Sequence, residues 1–228
     1  MQTAILVDGS FFLRRLRAIH GELTASRTAE EMHKMCCAHL YRNSRSKTQD
    51  SELYRIFYYD CPPLSKKAHH PLTGRCVDFS KTPVAAFRLE LLQELRKLRK
   101  VAIRLGHLDE ANARWTISPS ATKALLSGSL SFDSVREEDI VFEARQKAVD
   151  MRIGLDIASL AFKKQVQQIV LIAGDSDFVP AAKLARREGI DFVLDPMWHP
   201  IKPDLYEHID GLRSTCKRPG STIETDKN

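Results

Sequence analysis

Gln168-Ile-Val-Leu-Ile-Ala-Gly-Asp-Ser-Asp-Phe178 sets a short apolar run, a glycine and two acids in succession. An apolar run of that length without polar alternation suits a strand buried on both faces, as in a parallel sheet. The residues from Asp177 to Glu188 have helical spacing, and Gly189 is placed to stop them. Ile190–Leu194 then reads as another buried strand. Strand, helix and strand in immediate succession form a βαβ unit, the building block of a parallel α/β sheet.

The same reading extends outward. Thr3–Val7 is a second short apolar run, closed by Asp8 and Gly9, and a helix follows from Phe11 to His20. Further helices are expected over 29–42, 82–100 and 148–163, the second of these with Phe87, Leu91, Leu95 and Leu98 on one stripe. Strands are expected at 52–60 and 101–108, and a short helix at 202–212. The segment Cys61 to Gly74, with its adjacent prolines, reads as loop, and 112–139 as the stretch poorest in regular structure. This alternation predicts a three-layer α/β/α domain over residues 1–212. Insertions are expected around 61–81 and 109–139, and a polar tail over 213–228.

The 228 residues are 43% hydrophobic and 28% charged, proportions that exclude a disordered or fibrous chain. No apolar run is long enough to span a bilayer, and the residues before Thr3 give no expectation of a secretory signal. Five cysteines form no CxxC pair, which argues against the usual structural zinc site and for reduced thiols in the cytoplasm. A net charge of +6 favours a polyanionic partner. No P-loop, GxGxxG or GxSxG motif occurs.

In parallel sheets ligands gather at the carboxyl ends of the strands. Asp8 closes the first strand there, Asp175 and Asp177 follow another, and Asp150 opens a helix. Clustered carboxylates repel one another, and a divalent cation relieves the repulsion. Hard oxygen donors suit Mg²⁺ or Mn²⁺. Each Asp taken alone is as readily a helix cap, and Asp177 is placed to cap the helix after it. Asp156 lies six residues beyond Asp150, about 120° round the helix, so the two are not expected to bind one ion together. Asp156 is expected to pair with a base or a backbone end.

Three segments taken in order resemble a known family: Ile5-Leu-Val-Asp8-Gly9-Ser10, Lys147-Ala-Val-Asp150 with Asp156, and Ile172-Ala-Gly-Asp175-Ser176-Asp177-Phe178. Together they look like the NYN domain of the LabA/DUF88 group, in the PIN-like nuclease superfamily. The likeness is strongest in the first dozen residues and from Lys147 to Asp195. It implies a Rossmann-like fold with a central, mainly parallel sheet. It also implies a Mg²⁺- or Mn²⁺-dependent ribonuclease whose ion is held by Asp8, Asp150, Asp175 and Asp177, with Ser10, Lys147, Asp156 and Ser176 in support. The family's first motif often reads Asp-Gly-x-Asn, and this chain carries Phe11 at the fourth position. Ser10 is expected to substitute in part for that Asn.

Two other readings compete. Haloacid dehalogenase-like phosphatases share a first-strand Asp and a late Gly-Asp, but want a second acid where this chain has Ser10. A binding module on the same fold would use the acids structurally and the basic surface for RNA or protein. RNA contacts are expected from Arg14, Arg15 and Arg17, with Trp115 as the stacking candidate. Arg42, Arg45 and Lys47 form a further basic run, and so do Arg96–Lys100, where a solvated helix face is preferred. The Pro62–Asp139 region is expected to select substrate. Met197-Trp198-His199-Pro200 reads equally as a substrate wall or a linker. The faces of 82–100 permit a homo-oligomer without requiring one.

Overall fold

The computed structural model describes residues 1–42 and 49–219. Arg45 and Lys47 of the expected basic run, and the tail beyond 219, lie outside the described residues. The chain runs β1 (Gln2–Asp8), α1 (Gly9–His20), α2 (Ala25–Ala38), β2 (Glu52–Asp60), β3 (Lys67–His69) and β4 (Cys76–Asp78). It continues through α3 (Pro83–Lys97), β5 (Val101–Leu105), β6 (His107–Leu108), β7 (Arg114–Ile117), α4 (Pro119–Leu126), β8 (Ile140–Glu143) and β9 (Gln146–Lys147). It ends with α5 (Val149–Phe162), β10 (Gln168–Ile172), α6 (Val179–Arg187), β11 (Asp191–Asp195), α7 (Pro203–Tyr206) and β12 (Gly211–Leu212). By its contacts the chain divides into two compact units.

The first unit holds Met1–Asp60, Glu90–Gly106 and the chain from Ala148 onward. Its sheet has the order β12-β11-β10-β1-β2-β5, and every pairing in it is parallel. Right-handed crossovers put the helices after β1 and β2 on one face, and α5 and α6 on the other. This is the three-layer α/β architecture read from the sequence. Ile5, Leu6, Ile56, Tyr58, Leu171 and Phe192 are sealed from solvent, as strands covered on both faces require. From β1 the chain moves outward through β2 to β5, then crosses back to β10, β11 and β12 on the opposite side. The connection therefore reverses between β1 and β10, the kind of switch point beside which α/β sheets bind their ligands at the strand ends.

The second unit holds Cys61–Leu89 and His107–Lys147. Its three short antiparallel ladders pair β3 with β4, β6 with β9, and β7 with β8. Phe79, Trp115 and Phe142 pack ring against ring beside His70.

Several expectations are corrected. The stretch 112–139 is not the poorest in regular structure: Ser118 caps α4 by accepting from the Ala121 amide, with Pro119 in the first turn. Cys61 to Gly74 is not all loop, because Lys67–His69 finds a partner strand at Cys76–Asp78. The strand expected over 101–108 breaks at Gly106, whose amide donates to the Asp60 carbonyl at 2.8 Å. The second helix starts at Ala25 because Thr24 accepts from the Arg27 amide. The helix expected at 202–212 is only the single turn α7, and Gly211–Leu212 instead forms the sheet's sixth strand.

Candidate metal centre at the strand ends

Asp8 stands at the tip of β1. Val7 is paired with Ile172 of β10, so Asp8 and the Gly174-Asp175 turn follow neighbouring strand ends. The Asp8 carboxylate is buried and caps α1: its Oδ1 accepts from the Ser10 amide at 3.0 Å, the Ser10 hydroxyl at 3.0 Å and the Phe11 amide at 3.1 Å. Its Oδ2 has no such partner among the described residues. Ser10 thus holds Asp8 through both its backbone and its hydroxyl.

Asp175 is exposed, and its Oδ1 accepts from the Asp177 amide at 3.2 Å, capping the tight turn Ser176–Phe178 that leads into α6. The cap is therefore Asp175, not Asp177 as the capping alternative had it. Ser176 accepts from Lys202 Nζ at 3.2 Å, which sets a cation beside this turn. Asp150 lies in the first turn of α5, behind Ala148, whose φ of 67° puts a non-glycine residue in the left-handed region. Asp150 is exposed by its accessible surface, yet partial desolvation first, then the charges of Asp8, Asp175 and Asp177, raise its carboxyl above its ordinary value. All four acids therefore share one field. Among the described residues no Lys, Arg or His forms an ion pair with any of them.

Phe11 stands where the motif that this segment resembles often carries Asn. Its ring is buried and abuts Gly174: a methyl group added there would stand 2.4 Å from Phe11 Cε2. On another side the ring meets His199 edge-on, with centroids 6.1 Å apart. Gly9 is equally confined, a methyl group there standing 2.6 Å from the Tyr59 carbonyl oxygen. Sequence reasoning missed Lys202 and the Phe11–Gly174 fit, and had named His199 only within a segment read equally as substrate wall or linker. A packed ring against a glycine has no periodicity to reveal it.

The supporting residues separate. Asp156 accepts from the Tyr59 hydroxyl at 2.7 Å and from Arg104 Nε at 3.2 Å. Burial, and that hydrogen bond to Asp156, push the Tyr59 phenol well up, so it remains a donor. Lys147 belongs to the second unit, where its Nζ lies 2.6 Å from Asp109. Arg14 is exposed and Arg17 faces Glu22 at 3.8 Å. Arg15 is committed to the Met197 carbonyl oxygen, through Nε at 3.1 Å and Nη2 at 2.7 Å. Trp115 is not in an irregular segment: it sits on β7 within the aromatic cluster of the second unit, its indole N–H enclosed.

As placed, no three His, Cys, Asp or Glu side chains among the described residues stand close enough to share one ion. The donors still fit Mg²⁺ or Mn²⁺ in kind. They are hard oxygens, unpaired and mutually repelling, with one oxygen of Asp8 unused. Mg²⁺ commonly takes only one or two carboxylates and completes its shell with water and phosphate.

Comparison with known proteins gives three findings. A family model described as NYN domain matches residues 77–197, just over half of the chain. That range includes Asp150, Asp175 and Asp177 but not the Asp8 strand. A search of curated proteins returns no match. Among solved structures the chain is similar to a protein of unknown function, VPA0982 from Vibrio parahaemolyticus RIMD 2210633. The identity is 15%, over 92% of this chain and 90% of that one, with a TM-score of 0.47.

Proposed function

The chain belongs to the NYN domain family, and we propose that it is a metal-dependent endoribonuclease acting through Asp8, Asp150, Asp175 and Asp177. The LabA/DUF88 group is our reading of its motifs within that family, and the cytoplasm our reading of its compartment. No helix among the described residues is long and apolar enough to cross a membrane, and all five cysteines are free.

The observation that carries the proposal is the shared field at Asp150: partial desolvation and three further acids raise its carboxyl, and among the described residues no cation is paired with any of the four. An arrangement that costs stability when empty is suited to a positively charged ligand. Asp8, Asp150, Asp175 and Asp177 would hold Mg²⁺ or Mn²⁺, which when bound supplies an activated water and neutralises charge on the phosphoryl oxygens. Asp8 is oriented by the amides of Ser10 and Phe11 and by the Ser10 hydroxyl. Asp175 is oriented by the Asp177 amide. Arg14, exposed one turn into α1, and Lys202, beside Ser176, offer positive charge to a phosphate chain at this edge.

A second reading, an RNA-binding module without turnover, is favoured by one observation: a buried phenylalanine ring stands where the family's Asn would order the site. The test is cleavage of labelled single-stranded RNA with Mn²⁺, with Mg²⁺ and with EDTA, for wild type beside Asp175→Asn. Metal-dependent cutting by wild type alone is expected. RNA binding that survives EDTA, with no cutting under any condition, would make the binding module the correct reading.

A further inference from the structure

Away from the acids, a cleft of about 1120 Å³ opens in the first unit between α2 and the segment that follows β12. Five cations line it: Arg27, Lys34 and Arg42 from α2 and its exit, Arg213 and Lys217 from the facing segment. Glu31 is the one carboxylate among the lining residues, 2.8 Å from Arg27 and 4.0 Å from Lys34. Arg213 also donates to the Ala38 carbonyl oxygen at 3.1 Å, which fixes the facing segment to the end of α2. An excess of four positive charges in a walled cleft concentrates field for a polyanion.

Trp198 is tied to two residues of the cleft wall, Ser214 and Cys216. Trp198 is 44% exposed, although it is one of the largest apolar side chains in the protein, and the Arg218 guanidinium lies over one face of its ring, 5.6 Å from the centroid, so a stacking partner would take the other face. Two hydrogen bonds fix it: the Trp198 amide donates to the Ser214 hydroxyl at 3.0 Å, and the indole N–H donates to the Cys216 carbonyl oxygen at 2.9 Å. Ser214 and Cys216 themselves line the cleft. Met197 and Trp198 have φ of 48° and 62°, two consecutive non-glycine residues in the left-handed region. Such a pair persists only where its surroundings hold it. Here Arg15 grips the Met197 carbonyl and Asp195 Oδ1 accepts from the Met197 amide at 2.8 Å. The next residue, His199, meets Phe11, whose amide caps onto Asp8. A continuous series of contacts thus joins the acids, the exposed indole and the basic cleft.

We propose that Trp198 and the basic cleft form a track for single-stranded RNA, on which one base stacks on the indole and the phosphates of the flanking strand lie along Lys34, Arg42, Arg213 and Lys217. The track rests on the ribonuclease reading for its substrate, and gives that substrate a form. A stacking platform needs a base face that a duplex does not offer, so the strand is unpaired. A π-face and a row of cations read no base identity, so recognition is tolerant of sequence.

The test is fluorescence anisotropy of a labelled oligouridine dodecamer and of a duplex of equal length, in EDTA so that binding is read without turnover. Trp198→Ala is expected to weaken single-strand binding about tenfold or more, and Trp198→Phe, which keeps a ring, to retain most of it. Lys34→Gln, Arg42→Gln and Lys217→Gln combined are expected to lower the salt slope by about 2, at 0.7 for each phosphate contact on a single strand. Thermal melting confirms that each variant is folded. Wild-type affinity in Trp198→Ala together with a wild-type salt slope in the triple charge variant would overturn the track and leave the nuclease reading standing, provided Mn²⁺-dependent cutting is seen. A duplex bound as tightly as the single strand, with no loss in Trp198→Ala, would overturn the single-strand assignment. Binding that follows the track in wild type without cutting under Mn²⁺ would support the track and defeat the nuclease.

Discussion

Gly174→Ala is expected to disturb the acid edge by a calculable amount. A methyl group there would stand 2.4 Å from Phe11 Cε2 and 3.1 Å from Cδ2 and Cζ. Carbon atoms in ordinary contact lie about 3.5–4.0 Å apart, so ring or turn must give by about 1 Å. The ring is held: Phe11 is buried in the first turn of α1, with its amide bonded to Asp8. The turn is freer, because Asp175 is exposed, so Asp175 is the group displaced. Overpacking of this kind costs about 1–3 kcal/mol. For a chain of this size each kcal/mol lowers the melting temperature by about 2–4 °C. A fall of roughly 4–8 °C is therefore expected for a cost of about 2 kcal/mol, read by thermal denaturation. A misplacement of about 1 Å beside reacting groups costs on the order of a hundredfold in rate, read in the cleavage assay. Phe11→Leu removes ring atoms from the contact, so the double variant should be more stable than the two single losses add to. Wild-type melting in Gly174→Ala, or strict additivity in the double variant, would refute the packing argument.

Asp150→Asn is expected to stabilise the protein at pH 7 while abolishing cleavage. A carboxyl raised in the native state holds its proton more firmly there than in the unfolded chain, so stability is lost as pH climbs from the ordinary Asp value through the raised one. The gain should vanish below about pH 3.5, and solvent screening limits it to about 1 kcal/mol; a variant less stable than wild type at pH 7 would contradict the shared field. Asp195 is sealed from solvent, with His39 Nε2 2.9 Å from its Oδ2 and the Met197 amide on its Oδ1. Asp195→Ala is expected to cost about 3–5 kcal/mol in urea denaturation, and a loss under 1 kcal/mol would deny that the pair matters. Among the thiols, Cys76 is exposed, Cys36 is buried with its thiol pushed up by that burial, and Cys216 is pushed up to about 12 by burial and Asp195. A thiol reagent at pH 8 should modify Cys76 first; equal labelling of Cys216 would be inconsistent with this ordering.

Much of the first unit was legible because its central strands are continuous apolar runs. Ile169–Ile172 and Thr3–Val7 admit no other burial pattern, and their positions alone put Asp8 and Asp175 at strand ends. The second unit was harder for a physical reason. β7 and β8 are four residues each and half-buried, too short for alternation to stand out, and they pair across the whole of α4. The cap at Ser118-Pro119 was a usable signal for α4. β12 offered none, since a two-residue edge strand has no period and its glycine argued against a strand. The placement of Asp8 and Asp175 at strand ends was readable but the Phe11–Gly174 contact was not. Nor was the left-handed pair at Met197 and Trp198, because neither residue type advertises that conformation.

The two oxygens of Asp8 make folding and chemistry separable at one position. Asparagine keeps a carbonyl oxygen that can accept the three hydrogen bonds now made by Oδ1, and replaces the unused oxygen with an uncharged amide. Glutamate does the reverse, keeping the charge while its longer arm abandons the cap. On the proposed nuclease reading, an Asp8→Asn protein is expected to be a folded copy that does not cleave, the form in which an intact RNA strand would be held long enough to be seen.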